Sequence, residues 1–239
     1  MNDYFRFKQF TVQQEKAAMK VTTDACLFGA WVADQVVTRK LKIQHILDIG
    51  AGTGLLSLML AQKTEAIIDA VEIDDGAFEQ ALGNFSCSPW QERLTAYHSN
   101  ILNFEAPDKY DLIISNPPFF KGDLKSGNIK KDAAKHDITL TLEQLINVMD
   151  NTITDNGCMA ILLPDHRSET FIHAAQTSEI YVLQNTKVRQ TPSHPYFRSM
   201  LLLSRTKKET INQEIIIKNA DSIYNSSFIK LLQDYYLYL

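Results

Sequence analysis

Residues 44–54, QHILDIGAGTG, decide the fold. The apolar run that ends at Ile49 predicts a buried strand, and the glycines at 50, 52 and 54 predict a turn leading into a helix. Glycine permits positive φ, and the N-terminus of the helix offers unpaired N–H groups to an anionic ligand group. A dinucleotide-binding turn has GxGxxG spacing, whereas this one is GxGxG and follows Asp48. The glycine cluster by itself is also compatible with a tight structural turn.

Strands and helices alternate along the rest of the chain. We predict strands at 44–49, 67–73, 93–99, 110–115, 157–163, 179–187 and 198–205, and helices at 55–62, 77–85 and 140–153, the last stopping at a turn of Asn156 and Gly157. This pattern is typical of an α/β protein with a mostly parallel, seven-stranded sheet and helices on both faces. We expect residues 1–40 to be an N-terminal segment, residues 41–205 the main domain, and residues 206–239 a C-terminal strand and helix of the same domain.

The composition is that of a globular protein. Of 239 residues, 45% are hydrophobic and 22% charged, which excludes a disordered chain, a collagen-like fibre and a simple coiled coil. No apolar run is long enough to span a membrane, and the polar N-terminus is unlike a secretory signal, so we expect a cytoplasmic protein. Three separated cysteines, Cys26, Cys87 and Cys158, give neither a disulfide framework nor a zinc site, and we expect no metal.

The charge distribution is uneven. The formal net charge of −4 argues against a protein that coats nucleic acid by bulk electrostatics. Residues 187–208, however, contain six basic residues and no acid, and residues 121–135 contain five lysines and two acids. These stretches are either a local basic surface for phosphate contacts or ordinary solvated faces. We predict that residues 121–135 form a loop.

An acid lies near the end of the second predicted strand of the sheet. Glu72 follows Asp48 by 24 positions. An acid at that place in a nucleotide-binding sheet can accept both hydrogen bonds from a ribose diol. Ile73 could supply an apolar wall to an adenine ring. The alternative is a solvated strand-end acid, because Asp74 and Asp75 lie beside it.

The tetrapeptide Asn116-Pro117-Pro118-Phe119 follows the strand YDLIIS. Ligands of open α/β sheets bind at the carboxyl ends of the strands. Two prolines fix the backbone and remove two N–H donors, which leaves carbonyl oxygens and the Asn116 side-chain oxygen as acceptors. Such acceptors suit a planar NH₂ group, and Phe119 can stack on the ring that carries it. An ordinary turn after a strand is the alternative.

These motifs in this order resemble those of class I methyltransferases that use S-adenosylmethionine and methylate exocyclic or amide nitrogens. More closely, FRFKQFTVQQEKAAMKVTTDACLFGAW at 5–31, together with DIGAGTGLLSLMLAQ, SPW at 88–90 and DLIISNPPFF, resembles the bacterial tRNA1(Val) (adenine-N6)-methyltransferase family. The resemblance runs from about residue 4 to about residue 205. Its family-specific parts are MKV at 19–21, TD at 23–24 and GAW at 29–31.

The resemblance implies a Rossmann-like fold, S-adenosylmethionine as cofactor, and a valine tRNA, methylated at the adenosine 3′ of its anticodon, as the partner of a monomer. It also implies site residues. Cofactor-binding residues would be Lys20, Thr23, Asp24, Asp48, Gly50, Gly52, Gly54, Glu72, Ile73, Asn100 and Asn116, and catalytic residues Asn116, Pro117, Pro118 and Phe119. Lys20, Thr23 and Asp24 would close over the cofactor, and Asn100 would touch its adenine.

The sequence departs from the family pattern in three places. The family usually has glycine where Thr22 stands and an acid where Asn100 stands. An asparagine oxygen can still accept from an adenine NH₂, but the bond loses the charge assistance of a carboxylate. Weaker cofactor affinity is the expected consequence. NPPFF in place of NPPY keeps the stacking face and drops only a hydroxyl.

The resemblance also implies a mechanism. The lone pair of an adenine amine is delocalised into the ring, and hydrogen bonds from its two hydrogens to Asn116 Oδ1 and the Pro117 carbonyl would localise it. Other planar amines fit the same acceptors: a glutamine amide of a protein, an rRNA guanine or adenine, or a DNA adenine. An inactive RNA-binding module is a further alternative. A nicotinamide dehydrogenase is disfavoured by the glycine spacing and by NPPF.

Overall fold

A computed structural model describes residues 2–117 and 140–239. Two short antiparallel strands come first, β1 (Tyr4–Arg6) and β2 (Thr11–Gln13), and helix α1 (Thr23–Thr38) follows them. Thr22 is the N-cap of α1, and its side-chain oxygen accepts a hydrogen bond from the N–H of Ala25 at 3.4 Å. Threonine suits this position because it satisfies a helix N–H that lacks an intrahelical partner. The departure from glycine at residue 22 therefore has a structural reason.

Strands and helices then alternate as predicted. Their bounds are β3 (His45–Ile49), α2 (Leu55–Ala61), β4 (Ile67–Glu72), α3 (Asp75–Ser86), β5 (Leu94–His98), β6 (Tyr110–Ser115), α4 (Leu142–Thr152), β7 (Ile153–Pro164), α5 (Asp165–Thr177), β8 (Tyr181–Arg189), β9 (Tyr196–Ser204), β10 (Ile211–Ile216) and α6 (Ser226–Leu232). Single 3-10 turns flank β5 at Gln91–Arg93 and Ile101–Asn103. The predicted strands agree with these bounds to within two residues, except for β7.

Strands β3 to β10 form one sheet in the order β10-β8-β9-β7-β6-β3-β4-β5. Among its described strands β9 alone runs antiparallel to its neighbours. The predicted α/β class with a mostly parallel sheet is confirmed. The predicted number of seven strands is wrong, because β10 pairs in parallel with β8, from Ile211 beside Gln184 to Ile216 beside Arg189, and adds an eighth.

The helix predicted over 140–153 ends before its predicted stop. Helix α4 finishes at Thr152, and β7 begins at once with Ile153 paired to Tyr110 of β6. The next pair joins Cys158 to Leu112, so residues 154–157 form an irregularity within the strand. The turn predicted at Asn156 and Gly157 is wrong. The preference of β-branched Ile153 for extended backbone and its pairing with β6 end the helix earlier.

The sheet is buried on both faces. Along β6, Leu112 and Ile114 pack on one face while Ile113 packs on the other, because successive strand residues point in opposite directions. Helices α1, α2, α3 and α6 cover the first face, and α4 and α5 cover the second. A fully buried large apolar side chain stabilises the fold by roughly 1.5–3 kcal/mol. Such a core holds the strand ends rigidly.

Within residues 2–117 and 140–239, no helix is both long enough and apolar enough to cross a membrane. Across the same residues, no group of three or more His, Cys, Asp or Glu side chains is placed to hold a metal ion.

Candidate active site

The carboxyl ends of four strands lie level at one edge of the sheet. Ile49, the last residue of β3, pairs with Val71 of β4 on one side and with Ser115 of β6 on the other. Val71 in turn pairs with Tyr97 of β5. The residues that follow these strands therefore share one edge, where ligands of open α/β sheets bind.

All three glycines of the turn after β3 have positive φ, at 72° for Gly50, 57° for Gly52 and 78° for Gly54. A Cβ on Gly50 or Gly52 would meet no atom within 4 Å, so these two glycines border open space. The N–H groups of Gly50 and Ala51 donate to the Val71 carbonyl at 2.9 and 3.2 Å, which fixes the turn against β4. Two of the predicted glycines thus bring bare backbone to a cavity.

Gly54 has a different role, since it is the N-cap of α2 and a Cβ there would overlap Cε1 of the buried Phe85. We expect Gly54→Ala to lower the free energy of unfolding by about 2 kcal/mol, through left-handed strain and overpacking. Gly83→Ala on α3 is the matched control, because its Cβ would meet nothing within 4 Å. Urea unfolding would measure both. A Gly54→Ala variant as stable as Gly83→Ala would contradict this account.

Glu72 lies at the end of β4 and is held by three backbone N–H groups. Its Oε2 accepts from Gly52 at 2.7 Å, and its Oε1 accepts from Ile73 at 2.8 Å and from Asp74 at 2.9 Å. A carboxylate offers about four acceptor positions. In this conformation Glu72 links the glycine turn to β4. Three of its acceptor positions are used by these N–H groups, which leaves about one, on Oε2, for a ligand hydroxyl.

Asp48 lies beneath the turn and is fully buried. Its Oδ2 accepts a hydrogen bond from the Ser57 hydroxyl at 2.7 Å, and its Oδ1 has no partner among the described residues. Burial raises the pKa of Asp48 to about 7, against the opposing effect of the Ser57 hydrogen bond. A buried carboxylate oxygen without a partner is costly, and a cation bound nearby would offset that cost.

The pKa of Asp48 gives a pH prediction. Between about pH 4, where unfolded aspartates titrate, and about pH 7, the folded state keeps a proton that the unfolded chain has released. The free energy of unfolding should therefore fall as the pH rises through this window. In the Asp48→Asn variant we expect the free energy of unfolding to fall over this pH window by at least about 1 kcal/mol less than it does in the wild type. Urea unfolding at several pH values would measure it, and parallel curves for the two proteins would contradict the prediction.

Asn116 and Pro117 follow β6 at the same edge. The Ser115 hydroxyl donates to the Ile49 carbonyl at 2.9 Å, which fixes the end of β6 beside the glycine turn. The carboxamide of Asn116 makes no hydrogen bond with any described residue and lines the cavity with Pro117. It is therefore available to a ligand. The predicted residues Pro118 and Phe119, and the stretch 121–135, lie outside the described residues.

A cavity of about 520 Å³ runs along this edge. Its size is within the range of roughly 300–1,000 Å³ that is usual for ligand sites. It is lined by Ala17, Ala18, Met19, Ile49, Gly50, Gly52, Val71, Glu72, Ile73, Asp74, Ala77, Ser99, Asn100, Ile101, Leu102, Ser115, Asn116, Pro117, Leu140, Thr141 and Gln144. The structure thus brings the predicted residues Gly50, Gly52, Glu72, Ile73, Asn100, Asn116 and Pro117 to one cavity.

The end of the cavity at β5 is lined by apolar side chains and two amides. Ile73 and Leu102 are 41% and 44% exposed, which is high for large apolar side chains inside a groove. Asn100 caps the 3-10 turn after β5, and its Oδ1 accepts from the N–H of Leu102 at 3.0 Å. Gln144 belongs to a capping box at the start of α4, and its Oε1 accepts from the N–H of Thr141 at 2.9 Å.

The N-terminal segment contributes a wall that was not predicted residue by residue. Ala17, Ala18 and Met19 line the cavity. Residues of α3 hold this segment, as the N–H of Lys16 donates to Gln80 Oε1 at 3.0 Å. Sequence reasoning missed these three because their side chains are small or apolar and carry no chemical signature.

The predicted N-terminal residues lie beside that wall and are not among the cavity-lining residues. The ammonium group of Lys20 donates to the carbonyl of Gln14. Thr23 is the first residue of α1. Asp24 Oδ2 accepts from Arg198 Nε at 2.7 Å, which ties α1 to β9. Their contact with a cofactor stays a prediction.

The basic stretch 187–208 is divided by the structure. At the carboxyl edge its cations are paired with acids: Lys187 with Asp165 at 3.3 Å, Arg189 with Glu214 at 2.9 Å and Arg198 with Asp24 at 2.7 Å. Arg205 follows the far end of β9 and pairs with Asp150 at 3.0 Å, while Lys207 lies over the Tyr181 ring. The stretch therefore does not form one uncompensated basic face.

Comparison with solved structures confirms the fold class. A protein of Agrobacterium tumefaciens described as an O-methyltransferase has a TM-score of 0.67 at 17% identity, with 88% of this chain and 96% of that chain covered. A protein of Listeria monocytogenes described as a class I S-adenosylmethionine-dependent methyltransferase has a TM-score of 0.62 at 17% identity, with 92% of this chain and 72% of that chain covered. At such identities the likeness shows the fold alone, and that fold is the class I methyltransferase fold.

Sequence comparison is more specific. The family model of the methyltransferase small domain matches residues 19–167. A tRNA1(Val) (adenine(37)-N6)-methyltransferase of Flavobacterium psychrophilum is 41% identical over 240 residues, covering 98% of this chain and 99% of the relative. In this chain the glycine turn, Glu72 and Asn116-Pro117 meet at one cavity on a level strand edge. Together with these sequence matches, this arrangement shows that the chain belongs to the tRNA1(Val) (adenine(37)-N6)-methyltransferase family.

Proposed function

We propose that this protein transfers a methyl group from S-adenosylmethionine to the exocyclic N6 of adenosine 37, 3′ of the anticodon, in a valine tRNA. One observation carries the proposal. Asn116 and Pro117 present free acceptors at a cavity that the glycine turn and Glu72 also line, in a chain 41% identical along nearly its whole length to a relative with that activity in its name.

The described residues fit this cofactor. Bare backbone at Gly50 and Gly52 leaves room that a Cβ would fill. The unpartnered Oδ1 of buried Asp48 suits a positively charged group close to the turn. Glu72 Oε2 can accept from a ribose hydroxyl, and Ile73 offers an apolar face to a base. When bound, S-adenosylmethionine supplies an activated methyl group.

The chain's own residues position and polarise the accepting amine. The Asn116 Oδ1 and the Pro117 carbonyl oxygen would each accept one N6 hydrogen, which localises the nitrogen lone pair and aims it along one direction. No general base is needed before methyl transfer, since the proton can leave the charged product afterwards. Phe119, stacked on the adenine, would complete this arrangement.

An anticodon-loop adenosine is already partly unstacked, so its extrusion costs less than flipping a duplex base. We propose that the chain acts as a monomer in the cytoplasm, with Lys20, Thr23 and Asp24 closing the N-terminal segment over the cofactor. The lysines of residues 121–135 are the proposed phosphate contacts, since the cations of 187–198 are already paired.

The test uses labelled S-adenosylmethionine and bulk tRNA from a strain that lacks this protein. Digestion and mass spectrometry should find N6-methyladenosine in one valine tRNA. A transcript of that tRNA with guanosine at position 37 should gain no label. If no nucleoside gains a methyl group while S-adenosylhomocysteine still binds, the tRNA assignment fails, and protein glutamine or rRNA becomes the substrate to test.

A further inference from the structure

One face of α3 contacts the N-terminal segment beside the cavity. Positions 76, 80 and 84 are four residues apart, so they lie on the same side of this helix. A Cβ on Gly76 would lie 2.9 Å from the Lys16 carbonyl oxygen, because the segment passes closely over the start of α3. One turn further along, Gln80 Oε1 accepts from the Lys16 N–H at 3.0 Å. The next residue of the segment, Ala17, lines the cavity.

Asn84 occupies the third position of this face and is 2% exposed. Its Oδ1 accepts from the Gln13 N–H at 2.8 Å, and its NH₂ group donates to the Gln13 carbonyl at 2.9 Å. The same NH₂ group donates to the Thr53 carbonyl at 2.9 Å. Because Thr53 lies between Gly52 and Gly54, a single buried carboxamide joins the N-terminal segment to the glycine turn.

The hydrogen bonds of Asn84 link two walls of the cavity. An amide NH₂ group has two N–H donors, and both are used here. Without this side chain, the N–H and carbonyl groups of Gln13 and the carbonyl group of Thr53 would be left unpaired in the interior, at a cost in free energy unless they move to other partners. The separation between Ala17 on one wall and Gly52 on the other would then no longer be fixed.

We propose that Asn84, assisted by Gln80, is a positioning residue that sets the separation of the N-terminal wall and the glycine turn before the cofactor binds. The inference rests on the proposed function in that S-adenosylmethionine is taken as the ligand of this cavity. Asn84 is not among the cavity-lining residues, so its contribution is pre-organisation. When fewer molecules have correctly spaced walls, the apparent Kd for the cofactor rises in proportion.

Asn84→Ala tests the proposal, with calorimetry of S-adenosylhomocysteine as the first readout. We expect the Kd to rise about twentyfold, which corresponds to correctly spaced walls in about one molecule in twenty. The KM for S-adenosylmethionine should rise with it. At saturating cofactor, kcat for tRNA methylation should stay within about twofold of the wild type, because bound cofactor restores the spacing and Asn116 is unchanged. A role in fold stability alone would not produce this difference between KM and kcat.

Gln184→Ala is the matched control. The carboxamide of Gln184 is also buried and makes three hydrogen bonds, to Arg39, Thr186 and Gln213. It lies on β8 and is not among the cavity-lining residues. Its loss should lower the free energy of unfolding and leave the Kd for S-adenosylhomocysteine within about twofold of the wild type.

Gln80→Met keeps the proposal testable if Asn84→Ala does not fold. It removes only the acceptor for the Lys16 N–H and keeps the length of the side chain, and we expect it to raise the Kd about fivefold. A Kd within twofold of the wild type in this variant would overturn the proposal.

The remaining outcomes separate the proposal from the proposed function. A Kd within threefold of the wild type for folded Asn84→Ala overturns the proposal and leaves the proposed function intact. An equal rise in Kd for Gln184→Ala also overturns it, because general destabilisation would then be the cause. If the wild type binds no S-adenosylhomocysteine, the cofactor assignment itself fails and the proposal falls with it.

Discussion

Replacing Asn116 with alanine should lower kcat for tRNA methylation by about a thousandfold and leave the Kd for S-adenosylhomocysteine within about fivefold. The carboxamide of Asn116 makes no hydrogen bond with a described residue, so its loss leaves no internal group unpaired. Its oxygen is one of only two acceptors proposed for the adenine amine. Without it the lone pair stays delocalised into the ring, and the amine loses its orientation.

Two further variants make the Asn116 result interpretable. Asn116→Asp keeps an acceptor oxygen and should retain more activity than the alanine variant. Asn147→Ala on α4 removes an exposed asparagine and should behave as the wild type. Single-turnover methylation of the valine tRNA measures the rate constant of the methyl-transfer step separately from product release. An alanine variant with more than a tenth of the wild-type rate would show that another group holds the amine.

Much of the fold could be predicted because local patterns determine it. The apolar run HILDI is buried on both faces and is followed by glycines. This pattern predicts a parallel strand that leads through a turn into a helix. Glu72 and Asn116 could be placed because parallel strands bring their carboxyl ends to one edge. The pairing of β10 with β8 could not, since it depends on contacts between residues distant in sequence.

The parts of the site that sequence reasoning missed depend on tertiary contacts. Gln144 resembles any capping-box residue, and only the packing of α4 near the 3-10 turn after β5 brings it to the cavity. Met19 lacks a chemical signature. The charge of the stretch 187–208 was visible, but its acids come from elsewhere in the chain, such as Asp24 and Asp165. A count of the charged residues along one stretch of sequence cannot show such pairing.

Replacing Glu72 with glutamine should raise the Kd for S-adenosylhomocysteine by about a hundredfold. All three groups that contact this carboxylate are N–H donors, from Gly52, Ile73 and Asp74. A glutamine NH₂ must face at least one of them, which breaks a charge-assisted hydrogen bond and leaves donors opposed. The Gly52 N–H donates to Glu72 Oε2 and so holds the glycine turn against β4. The substitution therefore disturbs both the acceptor for the ribose and the backbone that contacts the cofactor.

Asp75→Asn is the matched control for Glu72→Gln. Its carboxylate is 91% exposed, three residues along the chain, and its removal changes the charge equally without touching the turn. Calorimetry of both variants at a temperature where urea curves show them folded separates the two effects. If Glu72→Gln bound S-adenosylhomocysteine within threefold of the wild type, the carboxylate would have only its structural task of holding Gly52. A hundredfold loss confined to Glu72→Gln would instead mean that cofactor binding depends on this carboxylate, whose Oε2 accepts from the Gly52 N–H of the turn.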